Sequence, residues 1–175
     1  MKFNYYALKA IYLHEMDRFR RTLAQSLLSP VLSTSLYFIV FGSVIGGYVQ
    51  KIDGISYGSY IVPGLLMLTL LTQSISNTSF GIFFPKFNGT VYEILAAPIS
   101  TLEIVLAFVG AGATKTLIVG AMIFFTSTFF VEVEVKYPIL MIFLLVLVSF
   151  TFALFGFLIG LMSSNFEQMS IIPSL

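Results

Sequence analysis

Pro138-Ile-Leu-Met-Ile-Phe-Leu-Leu-Val-Leu-Val-Ser-Phe-Thr-Phe-Ala-Leu-Phe-Gly-Phe-Leu-Ile-Gly-Leu-Met162 contains no charged side chain. A helix needs about 20 apolar residues, each rising ~1.5 Å, to cross ~30 Å of hydrocarbon. This run is long enough to span a bilayer. Working outward from it, the charged residues divide the rest of the chain into similar windows. No charge falls between Arg21 and Lys51 or between Asp53 and Lys86, and only Lys115 falls between Glu103 and Glu132. Spans are therefore expected over about 22–48, 59–84, 104–131 and 138–162. Lipid gives the backbone no hydrogen-bond partner, which leaves helices or closed barrels. Continuous apolar runs, rather than segments of roughly ten residues with alternating polarity, exclude the barrel. The expected fold is all-α, a polytopic transmembrane helix bundle with four full spans, preceded by an amphipathic interfacial helix over 1–21.

Composition gives the same class. Hydrophobic residues make up 58% of the chain and charged residues 10%, with a mean hydropathy of +0.98. A soluble domain carries about 25% charged residues to cover its surface, so the outer surface here faces something other than water. The net charge of +1 does not suggest a nucleic-acid partner. There is no cysteine and a single histidine, His14, so no thiolate chemistry, metal site or bound cofactor is expected in this chain. Catalytic residues are not expected either. No His-Glu-x-x-His motif occurs, and Glu132 and Glu134 read as a solvated pair. Gly110-Ala-Gly-Ala-Thr-Lys-Thr116 is not a phosphate-binding loop, because Thr114 rather than glycine precedes Lys115.

Basic residues set the orientation. Lys2, Lys9, Arg18, Arg20, Arg21 and Lys86 fall on one side of the spans, Lys51 and Lys136 on the other. That is six against two, and the positive-inside rule places the N-terminus in the cytoplasm. Beyond Ser170 the apolar start Ile171-Ile-Pro-Ser-Leu175 reads as the beginning of a fifth span, as expected of a longer chain.

Several segments are candidates for function. Tyr5, Leu8, Tyr12, Met16, Phe19 and Leu23 fall on one helical stripe, the pattern of a helix on the inner leaflet; it serves either as an anchor or as a docking element. Between the second and third spans, Asn88-Gly89 signals a turn, Thr90 can cap a short helix from Val91 to Ala97, and Pro98 ends it. Ser100 or Thr101 with Glu103 then opens the third span as a capping motif. By its residues alone, 85–103 is either a plain connector or a short helix shaped for a partner's cleft. Lys115 lies near the middle of the third span. A buried amine costs on the order of 3 kcal/mol there, so it should face other helices or a water-filled cavity: it touches substrate, pairs with an acid in another helix or, in a shifted helix, reaches toward the interface. Thr69, Thr72, Gln73 and Ser76 share a face of the second span, either packing against a neighbour or lining a polar path. Gly42/Gly46 and Gly156/Gly160 permit close helix approach, within the bundle or between copies.

Taken in order, several of these features resemble one family. They are the amphipathic N-terminal helix with a basic end, Tyr60-Ile-Val-Pro-Gly-Leu-Leu-Met67, Tyr92-Glu-Ile-Leu-Ala-Ala-Pro-Ile-Ser100, Glu103-Ile-Val-Leu106, and Gly110–Thr116 with Lys115. The chain resembles the membrane subunit (permease) of type-2 ABC exporters, and looks like its first two-thirds. The resemblance implies a bacterial inner-membrane permease that works as a homodimer with a cytoplasmic P-loop ATP-binding subunit. That subunit would bind the ATP, and hydrolysis there would drive export of a drug, lipid or polysaccharide-type substrate. It also implies that 85–103 is a coupling segment, with Tyr92, Glu93 and Leu95 touching the ATPase and Lys86 and Pro98 shaping the segment. The rival readings are an ion- or proton-coupled secondary transporter, to which the single midplane lysine and the lack of an internal repeat are poorly suited, and a non-transporting scaffold.

Overall fold

The computed structural model describes residues 3–45, 56–131, 133 and 135–169. Among these, the regular elements are all helices. They are α1 (Tyr5–Arg21), α2 (Leu23–Tyr37) continuing as a π-helix (Phe38–Ile45), α3 (Tyr57–Phe87), α4 (Val91–Ala96), α5 (Thr101–Ser127) and α6 (Pro138–Met162). Four stretches are long and apolar enough to cross a membrane: Leu23–Phe41, Tyr57–Phe87, Thr101–Ser127 and Pro138–Met162. The chain is a multi-pass α-helical bundle. The expected fifth span at 171–175, the end of the first at 46–48, Gly46, Lys51, Glu132 and Glu134 lie outside the described residues.

Local chemistry explains the helix starts. Asn4 caps α1 by accepting from Ala7 N at 3.2 Å, and Ser56 caps α3 by accepting from Ser59 N at 3.3 Å. Pro138 occupies the first turn of α6, where its missing N–H costs no helical bond. Thr22 separates α1 from α2 with non-helical dihedrals, φ −106° and ψ 14°.

α3 is the hub, and small residues bring its neighbours close. A Cβ on Gly156 of α6 would stand 2.5 Å from the Ile75 carbonyl oxygen, and one on Gly160 2.5 Å from that of Ser79. On the α5 side, a Cβ on Gly112 would overlap Thr78, and one on Gly120 would stand 2.8 Å from Leu70 Cδ2. In lipid, van der Waals packing rather than water exclusion holds helices together, and these approaches maximise it. The Gly156/Gly160 pair therefore belongs to the bundle interior. The residue order at these contacts makes α6 parallel and α5 antiparallel to α3, as alternating spans require. Ile82, Ile104, Phe108, Val109, Ala113, Ala153 and Phe157 form the apolar core below.

Three span boundaries differ from expectation by three residues or more. α3 runs on to Phe87, so Pro85 and Lys86 belong to a span and not to the connector. α5 starts at Thr101 and stops at Ser127, three residues before and four short of the expected span. α1 also does more than lie on a surface. Asn4 meets Glu103, Tyr12 meets Thr114 and Glu15 meets Lys115, so α1 runs in the same direction as α5 along its first half. Tyr5 points outward at 59% exposed, while the rest of the apolar stripe packs inward, with Glu15 and Phe19 the buried residues of α1.

Candidate coupling surface and buried charge site

The connector between α3 and α5 builds an exposed helix. Gly89 takes φ +79°, a left-handed turn that favours glycine, and Tyr92 N donates to Gly89 O at 3.1 Å. α4 follows over Val91–Ala96; Thr90 precedes it but makes no side-chain cap. The helix ends because Ala97 adopts ψ 151°, as the residue before a proline prefers. No residue of α4 is buried. Tyr92 and Leu95 are 74% and 63% exposed, and Glu93 is exposed beside them.

Lys86 lies outside this surface. Its Nζ donates to the carbonyls of Leu161 at 2.7 Å and Ser163 at 2.9 Å, closing the end of α6. A cation there satisfies carbonyls that the helix leaves unpaired and complements its dipole. The expectation that Lys86 shapes the connector is thus replaced by a tie between α3 and α6. Phe166, just beyond, packs edge-on against Phe83 and Phe87 at 4.9 and 5.0 Å.

The junction of α4 and α5 is tied to the start of α1. Ser100 accepts from Glu103 N at 3.4 Å, and the Glu103 carboxylate accepts from Ser100 N at 2.7 Å, completing the capping box. Asn4 N donates to the other Glu103 oxygen, and Asn4 Nδ2 donates to the Pro98 carbonyl at 3.5 Å. Pro98 thus ends α4 and also anchors α1.

Lys115 has an acid partner. Its Nζ lies 2.7 Å from Glu15 Oε2, with both side chains at most 4% exposed. Arg18 reaches the same oxygen at 2.8 Å and lies over the Phe80 ring at 5.7 Å. Glu15 Oε1 has no partner among the described residues. Lys115 stands about 18 Å along the helix from its far end at Ser127, at ~1.5 Å per residue. At that depth an unpaired amine would be costly, and Glu15 neutralises it. Sequence reasoning missed Glu15, which lies off the apolar stripe of α1 and belongs to no local motif. The signal available was the need of Lys115 for an acid.

The polar face of α3 lines a groove rather than a helix contact. Thr69, Thr72 and Gln73, with Leu65 and Leu68, face Ser29, Pro30, Ser33, Thr34 and Tyr37 of α2 across a cavity of about 210 Å³. The Thr69 and Thr72 hydroxyls donate to carbonyls within α3, leaving their lone pairs toward the groove. Gln73 accepts from Asn77 at 3.5 Å. Ser76 is not among the lining residues. No charged side chain lines the groove.

The ABC-2 type transporter family model matches residues 6–175. The chain belongs to the ABC-2 type transporter family. It is 37% identical over 168 residues to "Inner membrane transport permease YadH" of Escherichia coli K12, covering 96% of this chain and 66% of that protein. The same identity and coverage hold for the proteins of that name from Escherichia coli O157:H7 and Shigella flexneri. The chain thus spans 66% of the length of these relatives. No solved structure matches it. Family membership and the four apolar helices agree with a multi-pass protein of the inner membrane and with a transporter's membrane subunit.

Proposed function

We propose that this chain is the greater part of a permease subunit in an ATP-driven exporter, and that a separate cytoplasmic P-loop subunit binds and hydrolyses the ATP. The observation that carries the reading is α4. In a chain of this family, a short helix lies between two spanning helices with Ile94 turned to the bundle, no residue fully buried, and a tyrosine, a glutamate and a leucine outward. A helix that contributes so little to packing is available for docking. The six-to-two distribution of basic residues supports a cytoplasmic position for α4 and the N-terminus. The permease acts as a homodimer, and nucleotide-driven closure of the ATPases would push on the two copies of α4, shifting the bundle between states with different contacts.

The groove between α2 and α3 is part of the substrate path in this reading. Hydroxyls and one amide on apolar walls, without a charge, suit an uncharged polar group carried on a lipid or drug. Reconstitution with the ATP-binding subunit tests the whole. Glu93→Arg is expected to leave the protein inserted and ATP hydrolysis uncoupled from export. Normal export by that variant would remove the case for α4. Transport driven by an ion gradient without ATP would instead favour a secondary transporter.

A further inference from the structure

Glu15 joins three helices at one point. It sits on α1, its Oε2 takes both Lys115 of α5 and Arg18 of its own helix, and Gly81 of α3 borders it at contact distance. A Cβ on Gly81 would stand 3.4 Å from Oε2 and 3.7 Å from the Arg18 guanidinium. Buried ion pairs add little stability over apolar side chains of the same volume, because desolvation offsets the attraction. What the short directional bond from Lys115 does supply is a fixed register between α1 and α5, while Arg18 holds the Glu15 carboxylate in place from its own helix.

The register matters because of where the two ends of α1 are attached. At its start, Asn4 holds the end of α4 through Pro98 and the start of α5 through Glu103. At its far end, the single non-helical residue Thr22 leads into α2, which forms one wall of the groove through Ser29, Ser33 and Tyr37. A rod held only at Asn4 would pivot there when α4 is pushed. A second fixed point at Glu15, about 16 Å further along the rod at ~1.5 Å per residue, prevents the pivot. Tyr12 donating to Thr114 Oγ1 at 3.0 Å lies between the two.

We propose that Glu15 is a positioning residue that locks α1 to α5, so that α1 acts as a strut carrying displacement of α4 to α2 and the groove wall. The inference rests on the exporter reading for the source of the push, but the lock itself does not.

The test uses the full-length protein with its ATP-binding subunit in proteoliposomes. Spin labels replace Leu13 on α1 and Leu106 on α5, both exposed, and pulsed dipolar spectroscopy reads their separation. Glu15→Gln is expected to widen the distance distribution and to lower transport per ATP hydrolysed roughly fivefold or more, the lower edge of coupling between linked sites. Because the single variant leaves Lys115 buried without a full counter-charge, Glu15→Gln with Lys115→Met serves as the second. The pair removes the buried charges together, so it inserts and folds, yet it retains the wide distribution and the low transport ratio. A narrow distribution in both variants overturns the lock. Recovery of the transport ratio in the double variant also overturns the proposal, since Glu15 would then only keep Lys115 from being unpaired. A wild type that transports nothing in response to ATP contradicts the exporter reading and the strut's role with it, while the label distances still report on the lock.

Discussion

α4 and the seam between α1 and α5 meet where α4 runs into the start of α5, yet they handle polar side chains in opposite ways. α4 exposes four of its six residues, Tyr92, Glu93, Leu95 and Ala96, and buries none of them fully. The seam closes over a carboxylate and an amine, each at most 4% exposed. Side chains on α4 contribute little to the bundle's energy, so their identity is free to serve a partner. Side chains in the seam are bound by desolvation and must match one another. A substitution on α4 should therefore act on binding with little effect on stability, and one in the seam should act first on stability.

The strongest way to sharpen this contrast is Lys115→Ala, which leaves Glu15 buried with Arg18 alone. A loss of about 3–5 kcal/mol is expected, as for breaking a buried pair from one side. Lys136→Ala, on an exposed residue, should shift stability by under about 0.5 kcal/mol. Unfolding in mixed micelles measures both, and equal shifts would break the comparison. Next is Gly156→Ala. Its Cβ meets backbone of Ile75 at 2.5 Å, which cannot rotate away, and a loss of roughly 1–3 kcal/mol is expected from overpacking. Lys86→Ala removes the tie to Leu161 and Ser163 and should cost about 1 kcal/mol, read as earlier unfolding of α6 in hydrogen exchange. Smallest in stability are Tyr92→Ala and Leu95→Ala, within about 0.5 kcal/mol of wild type. Their effect should appear instead as roughly tenfold weaker binding of the ATP-binding subunit.

The same contrast explains what was legible in the sequence. The spans could be read from composition because a bilayer demands long uncharged runs, and Pro138–Met162 meets that demand wherever its neighbours lie. α4 was legible because Asn88-Gly89 and Pro98 act locally, through φ at one end and a steric clash at the other. The capping box at Ser100 and Glu103 is likewise a matter of four adjacent residues. Glu15 was not legible. Its burial depends on α1 and α5 lying side by side with 100 residues between the partners, and no local pattern encodes that pairing. Lys86 misled for a related reason. By position it flanks the connector, but its bonds go to the end of α6, which only the packed bundle brings near. The polar face of α3 was found by its helical spacing, whereas its role as one wall of a groove needed α2 opposite. Ser76 shares the spacing and lies off the groove, because a helix face is wider than the surface any one neighbour covers.

The most direct measurement is purification of the full-length protein from native membranes in mild detergent, wild type beside Glu93→Arg, with co-purifying proteins quantified by mass spectrometry. The account predicts a stoichiometric P-loop ATPase with the wild type and roughly a tenfold or greater loss of it with the folded variant, as for a charge reversal within a small docking site. Absence of an ATPase from intact wild-type protein, or equal recovery with both, would contradict α4 as the coupling surface.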